Sequence, residues 1–339
     1  MRLVYFQRLP GASQFSVERY FDAIRAVASD NADVRCVTMP RLSRGVVGRL
    51  INLVFTFRNR GDVNHVTGDV NYVALALPRN RTVLTVLDCQ VLQRLGGWRR
   101  WVLAALWFKW PCRHVQYVTV ISQATKDALV AETGICEQKV RVIPVAVSDA
   151  FVESPRRFNT QCPTILQLGT KANKNLPRLI AALQGIECRL HIIGPLDQHL
   201  RELLVGHAID YRNSIGLDDQ QIVDAYVDCD LVTLVSTCEG FGMPIVEAQA
   251  VLRPVVTSNC SSMPEVAGDG ACLVDPLDVE SIRRGVLGVI QDADYREKII
   301  ASGRENRLRF RPEVIAKQFD ELYQELVQPP HPQPLSPDL

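Results

Sequence analysis

Residues 236–250 read STCEGFGMPIVEAQA and set two glutamates, Glu239 and Glu247, eight positions apart. Carboxylates accept hydrogen bonds from hydroxyls, so two of them at one site suit a ligand with hydroxyls at both ends. Between them, Gly240 and Gly242 let the backbone approach a ligand and offer amides to an anion. Paired hydroxyl acceptors beside an anion cradle suit a sugar nucleotide, with sugar and ribose on the glutamates and phosphates on the amides. The spacing alone also fits two solvated surface glutamates, and paired carboxylates also serve glycosidases. The glycine turn and its surroundings speak against the glycosidase.

Those surroundings must position the pair. DLVTLVS (230–236) is nearly all apolar, as a buried parallel strand must be. Pro244 fits a first helical position, and IVEAQA continues the helix. Glu239 is then at the carboxyl end of a strand, where open α/β sheets bind ligands, and Glu247 is about one turn into the helix. The same alternation runs through the chain. RLVYF (2–6), DVNHV (62–66), RTVLTVL (81–87), YVTVIS (117–122) and VRVIPV (140–145) read as strands. SVERYFDAIRAVAS (16–29) and SQATKDALVAETG (122–134) read as helices. The pattern restarts past residue 150 with TILQLG (164–169), CRLHIIG (188–194), RPVVTS (253–258) and ACLVD (271–275), separated by helical stretches. Two such series imply an α/β chain of two Rossmann-like lobes with doubly wound parallel sheets.

Bulk properties narrow the partners. The chain has 339 residues, enough for two domains, and a net charge of +1, which gives no argument for nucleic acid. Its ten cysteines form no C-x-x-C pair, and its six histidines show no metal-ligand spacing. MRLVYFQRLPG is broken too early for a signal peptide, so free thiols in a reducing cytoplasm are expected. DCD (228–230) matches the D-x-D of metal-dependent glycosyltransferases of another fold, but its place at a helix–strand junction reads as structural. No metal is expected.

EGFGMPIVEA, followed by RPVVTSNCSSMPEVAGDGACLVDP, resembles the signature of the family 4 glycosyltransferases, which are retaining enzymes of the GT-B fold. The similarity extends back through LGTKANKNLPRLIAAL to VTVISQATKDALV, and forward to PEVIAKQFDELYQEL. The resemblance implies two Rossmann-like lobes facing an interlobe cleft: an acceptor lobe (1–150), a nucleotide-sugar lobe (151–311), a helix (312–327) bracing the first lobe and a proline-rich, disordered tail (328–339). It implies that Glu239 contacts donor-sugar hydroxyls and Glu247 the ribose. The turn Gly240, Phe241, Gly242 and Met243 would offer amides to the sugar and diphosphate. Lys174 in GTKANKN fits the family's basic residue aimed at the diphosphate, where a cation stabilises the leaving group. Gly11, Ala12 and Ser13 resemble the family's small-residue loop, and His65 is either a cleft-facing or a packed strand residue. No cofactor is implied beyond the donor, a UDP- or GDP-linked sugar.

Two positions depart from the family pattern. Many members have arginine directly after the glycine where this chain has Thr170, with Lys171 next to it. Relatives often carry histidine before the aspartate of TVLDCQ, where this chain has Leu87 and then Asp88. Either Asp88 or another group serves the reaction centre in its place, or turnover is compromised. Finally, RLGGWRRWVLAALWFKWPCRHV (94–115) holds all four tryptophans among five cations, which suits an interfacial helix over 94–113 or a buried helix with charged ends. The expected activity is retaining, metal-independent sugar transfer to a cell-surface polysaccharide or lipid-linked glycan, in the cytoplasm or on the inner face of the membrane. The rivals are a catalytically weak sugar-nucleotide-binding or assembly protein, and a sugar-nucleotide epimerase of the same fold.

Overall fold

The computed structural model describes residues 1–9, 21, 24–25, 33–89 and 97–327, with backbone only at 98–100. The chain divides into two compact units. One comprises 1–121, 125–143 and the segment from Glu313 onward; the other comprises 122–124 and 144–312. Each is built on a six-stranded sheet whose neighbouring strands all run parallel.

The first sheet contains β1 (Arg2–Gln7), β2 (Asp33–Thr38), β3 (Val63–Thr67), β4 (Thr82–Val86), β5 (Tyr117–Val120) and β6 (Val140–Val142), in the order β2-β1-β3-β4-β5-β6. Central strands β3 and β4 are buried along their whole length, which is why they read as strands. The helix Pro312–Val327 packs in this unit through buried Ile315, Phe319, Leu322 and Tyr323. Tyr323 OH lies 3.0 Å from Tyr5 OH and 2.6 Å from His65 Nδ1. His65 Nε2 lies 2.6 Å from Thr85 Oγ1, which in turn lies 2.6 Å from Thr119 Oγ1. Both ring nitrogens are therefore engaged, and burial pushes the His65 pKa down to about 3. His65 is a neutral, packed strand residue that ties the last helix to the sheet.

The second sheet contains β7 (Thr164–Leu168), β8 (Arg189–Ile193), β9 (Asp210–Ser214), β10 (Leu231–Leu234), β11 (Val255–Ser258) and β12 (Cys272–Val274), in the order β12-β11-β10-β7-β8-β9. The strand order reverses between β7 and β10, which pair with Thr233 opposite Gln167. Such a reversal opens a crevice at the carboxyl ends of the two strands, the preferred ligand position in open α/β sheets.

The DCD segment has a structural occupation. The Asp230 carboxylate accepts hydrogen bonds from the Asn159 and Thr164 amides at 3.1 and 2.8 Å, with Arg156 at 3.5 Å. Asp230→Ala would leave those amides without acceptors. It is expected to cost about 2–3 kcal/mol of stability, with no effect on any metal response. Thermal melts with and without Mn²⁺ check both parts.

Candidate functional site

The loops leaving β7 and β10 are knitted together at the strand reversal. Thr237 N donates to Asn173 O at 2.9 Å, and Asn173 Nδ2 donates to Cys238 O at 3.1 Å. Asn175 anchors the base of the β7 loop. It adopts φ 57°, which asparagine tolerates better than most residues, and its Nδ2 donates to Val235 O at 3.0 Å and Pro276 O at 2.7 Å. The helix Leu176–Leu183 starts at the next residue and buries Leu176, Leu179, Ile180 and Leu183, so the loop sits on a rigid base.

This brings Lys174 and Glu239, 65 residues apart in sequence, into an ion pair of 2.7 Å. Glu239 Oε1 also accepts from Ser236 Oγ at 2.7 Å and from Asn173 Nδ2 at 3.3 Å. Among the described residues no donor reaches Glu239 Oε2. The pair is mostly shielded, with side chains 18% and 13% exposed, so it is weakly screened by salt. Gly169 is required beneath it. It adopts φ +85°, and a Cβ there would come 3.1 Å from Lys174 Cε.

The turn 239–242 is gripped from the β11 loop. Ser261 Oγ donates to Glu239 O at 2.7 Å, and Ser262 Oγ lies 3.0 Å from Glu239 O and 2.8 Å from Phe241 O. Gly242 adopts φ +105° and leads directly into the helix Met243–Ala250, with Pro244 in its first turn. Gly240 and Met243 are half-buried, whereas the Phe241 ring is buried edge-on against Phe310 at 5.5 Å. Phe241 thus holds the turn by packing.

Glu247, half-buried on that helix, receives the hydroxyl of fully buried Tyr226 at 2.5 Å. Burial raises the Glu247 pKa, while the Tyr226 hydrogen bond and the Lys174 charge pull it back. Burial, with Glu247 beside it, drives the Tyr226 pKa well up, so Tyr226 is a donor only. Lys174 therefore acts electrostatically on one carboxylate while pairing with the other. Tyr226, Ser236 and Asn173 escape sequence reasoning. Tyr226 is one of three buried positions of an ordinary amphipathic helix, Asp219–Asp228, and nothing in its spacing points to Glu247.

Other expected site residues are placed apart or differently engaged. Thr170 Oγ1 donates to Pro195 O at 2.6 Å, and Lys171 is exposed. Asp88 is exposed just beyond β4 in the other unit, after half-buried Leu87. Gly11, Ala12 and Ser13 lie outside the described residues, as do Arg94 and the side chains of Trp98, Arg99 and Arg100. Among the described residues no helix is long and apolar enough to cross a membrane.

Residues 17–151 match the family model Glycosyltransferase Family 4, and residues 153–306 match Glycosyl transferases group 1. The chain belongs to the family 4 glycosyltransferases. Within the family, it is 26% identical over 226 residues to the MMP alpha-(1->4)-mannosyltransferase of Mycolicibacterium hassiacum, covering 61% of this chain and 54% of that protein. It is 40% identical over 85 residues to the O-antigen chain mannosyltransferase B of Escherichia coli, covering 25% of this chain and 22% of that one. The chain thus matches about half or less of the length of these curated relatives. Anabaena HepE, in complex with UDP and glucose, superposes with a TM-score of 0.78 at 17% identity, over 96% of this chain and 100% of that one. The two-sheet architecture is the two-lobe GT-B α/β fold of this glycosyltransferase family.

Proposed function

We propose that this family 4 glycosyltransferase moves a sugar, with retention, from a UDP- or GDP-linked donor to a polysaccharide or lipid-linked glycan, without a resident metal. The observation that carries the reading is the Lys174–Glu239 pair at the strand reversal, with Glu247 on Tyr226 one helix turn beyond. Glu239 Oε2 would accept from sugar hydroxyls and Glu247 from the ribose. The Lys174 cation supplies the positive charge beside the departing diphosphate. In the transfer the bond from the anomeric carbon to the diphosphate breaks and one to the acceptor oxygen forms. The acceptor proton passes to the leaving diphosphate oxygen, a route that needs no histidine at Leu87. The mannosyltransferase names of the two relatives, and the UDP and glucose held by HepE, support a nucleotide-sugar donor and a glycan product. A lipid-linked acceptor would place the protein in the cytoplasm against the inner face of the membrane, with the tryptophan-rich 94–113 segment towards it.

The test is a donor screen by thermal shift with UDP, GDP, ADP and dTDP and their common sugars. At a concentration about 100 times Kd, the right donor is expected to stabilise the protein by about 2.7 kcal/mol. Stabilisation by none of them would remove the reading. A catalytically weak nucleotide-sugar-binding protein is the second reading, favoured by Leu87 and by the Thr170 hydroxyl being taken up by Pro195 O. Donor binding without product across an acceptor panel would select it.

A further inference from the structure

The helix Gly45–Arg58 packs on the core through half-buried Leu53 and Phe55, beside two fully buried polar side chains. Its buried side chains are Asn52 and Thr56. Asn52 Nδ2 lies 2.9 Å from both Arg41 O and Tyr72 OH, and Thr56 Oγ1 reaches Met39 Sδ at 3.6 Å. The outward side carries Val46, Val47, Leu50, Ile51, Val54 and Phe57, each between 41% and 72% exposed. At about 100° per residue these six fall within an arc of roughly 140°, one continuous stripe along the helix. Single exposed apolar residues need no explanation, but a stripe of this length marks a surface that meets something apolar.

The charge around the stripe identifies what it meets. Residues 34–61 contain six arginines and no acidic residue. Arg41, Arg44, Arg58 and Arg60 are exposed, and the Arg60 guanidinium lies 4.5 Å over the Phe57 ring. The stripe also adjoins the tryptophan-rich helical stretch of the same unit, because Arg49 stacks over Trp107 at 5.2 Å. That neighbour presents Trp101 at 68% and Trp110 at 51% exposure, and residues 89–126 likewise contain no acidic residue. A second copy docking the same face in a two-fold dimer would set arginine against arginine. An anionic bilayer satisfies both components, receiving the apolar stripe below the headgroups and the guanidiniums among them.

We propose that the helix Gly45–Arg58 is an interfacial helix that seats this unit on an anionic lipid surface, with Trp101 and Trp110 at the margin of the same footprint. This extends the membrane part of the proposed function to an element outside the tryptophan-rich segment. It does not depend on which sugar is transferred.

The full chain is sedimented with vesicles of phosphatidylcholine containing about one-third phosphatidylglycerol, and with phosphatidylcholine alone. Binding is expected to the anionic vesicles and to fall steeply as salt shortens the Debye length from about 10 Å at 0.1 M. The variant Val47→Ser/Leu50→Ser/Val54→Ser/Phe57→Ser alters only exposed positions, so its circular dichroism should match the parent. It is expected to lose at least about tenfold in partitioning, while any UDP- or GDP-induced thermal shift stays as in the parent. Unchanged partitioning of this variant would overturn the proposal. So would loss of binding only in Trp101→Ser/Trp110→Ser, which would move the contact to the neighbouring segment. A dimer in light scattering that the serine variant dissolves, with no vesicle binding by either, would assign the stripe to a second copy instead. Failure of the donor screen would leave vesicle binding untouched, so the two readings fail separately.

Discussion

Replacing Glu239 with alanine is expected to lower kcat for sugar transfer by about 10²–10³-fold, while changing UDP or GDP affinity by less than about threefold. The asymmetry follows from what the carboxylate touches. Oε1 holds Lys174, Ser236 and Asn173, and the proposed function gives Oε2 to the sugar. On the proposed function, truncation would remove a sugar contact and also release the cation that balances the leaving diphosphate, two losses at the reacting centre. Glu239→Gln separates them, because its amide oxygen still accepts from the three donors while the charge is gone. Lys174→Met combined with Glu239→Gln completes a double-mutant cycle. A coupling of more than about 1 kcal/mol in the transition-state energies is expected for a shielded pair in direct contact. Additive effects would mean that the two residues act independently. Full turnover in the alanine variant would remove Glu239 from the site.

What could be read in advance divides along burial. β3, β4 and β10 lie inside their sheets, are buried at every position, and announce themselves as apolar runs. The strands that escaped, β2 (DVRCVT) and β9 (DYRNS), are the outer strands at one end of each sheet. Apart from Val37 their side chains are exposed or half-buried, and with one neighbour and little core to face they need neither apolar runs nor alternation. The helix Gly45–Arg58 escaped for the opposite reason. It carries apolar residues on both its core side, Leu53 and Phe55, and its outward side, and fully buries only Asn52 and Thr56, so apolar positions there do not single out the core face. In the site, Glu239, Glu247 and Lys174 are legible from local motifs. Their partners are not, because Asn173 meets Glu239 only through the pairing of β7 with β10, Ser236 meets it only through the fold of the loop they share, and Tyr226 meets Glu247 only through helix packing.

The second large effect is expected at Glu247, where stability and binding should move in opposite directions. Burial raises its pKa above the ordinary value of 4.5, so the folded protein disfavours the ionised carboxylate relative to the unfolded chain. The sign follows from this. A group with a raised folded-state pKa gives its full stabilisation below the unfolded value and loses it as pH rises through the folded one. At neutral pH, wild type therefore carries an unfavourable contribution that Glu247→Gln, neutral at all pH, does not. Because the Gln amide oxygen can still accept from Tyr226, Glu247→Gln is expected to melt higher than wild type at pH 7. The difference should close as pH falls towards 4.5 and below. Nucleotide binding should show the reverse, because a hydroxyl donating to a carboxylate makes a hydrogen bond roughly twice as strong as one to a neutral amide. UDP or GDP affinity is expected to fall by about tenfold, read by titration calorimetry, with kcat at saturating donor little changed. Tyr226→Phe supplies the contrast. It strips the carboxylate of its donor inside the protein, so it should lower the melting temperature and weaken binding together. A Glu247→Gln protein that melts lower than wild type at pH 7 would show that the charge is a structural asset, and that Glu247 serves the fold before it serves a ligand.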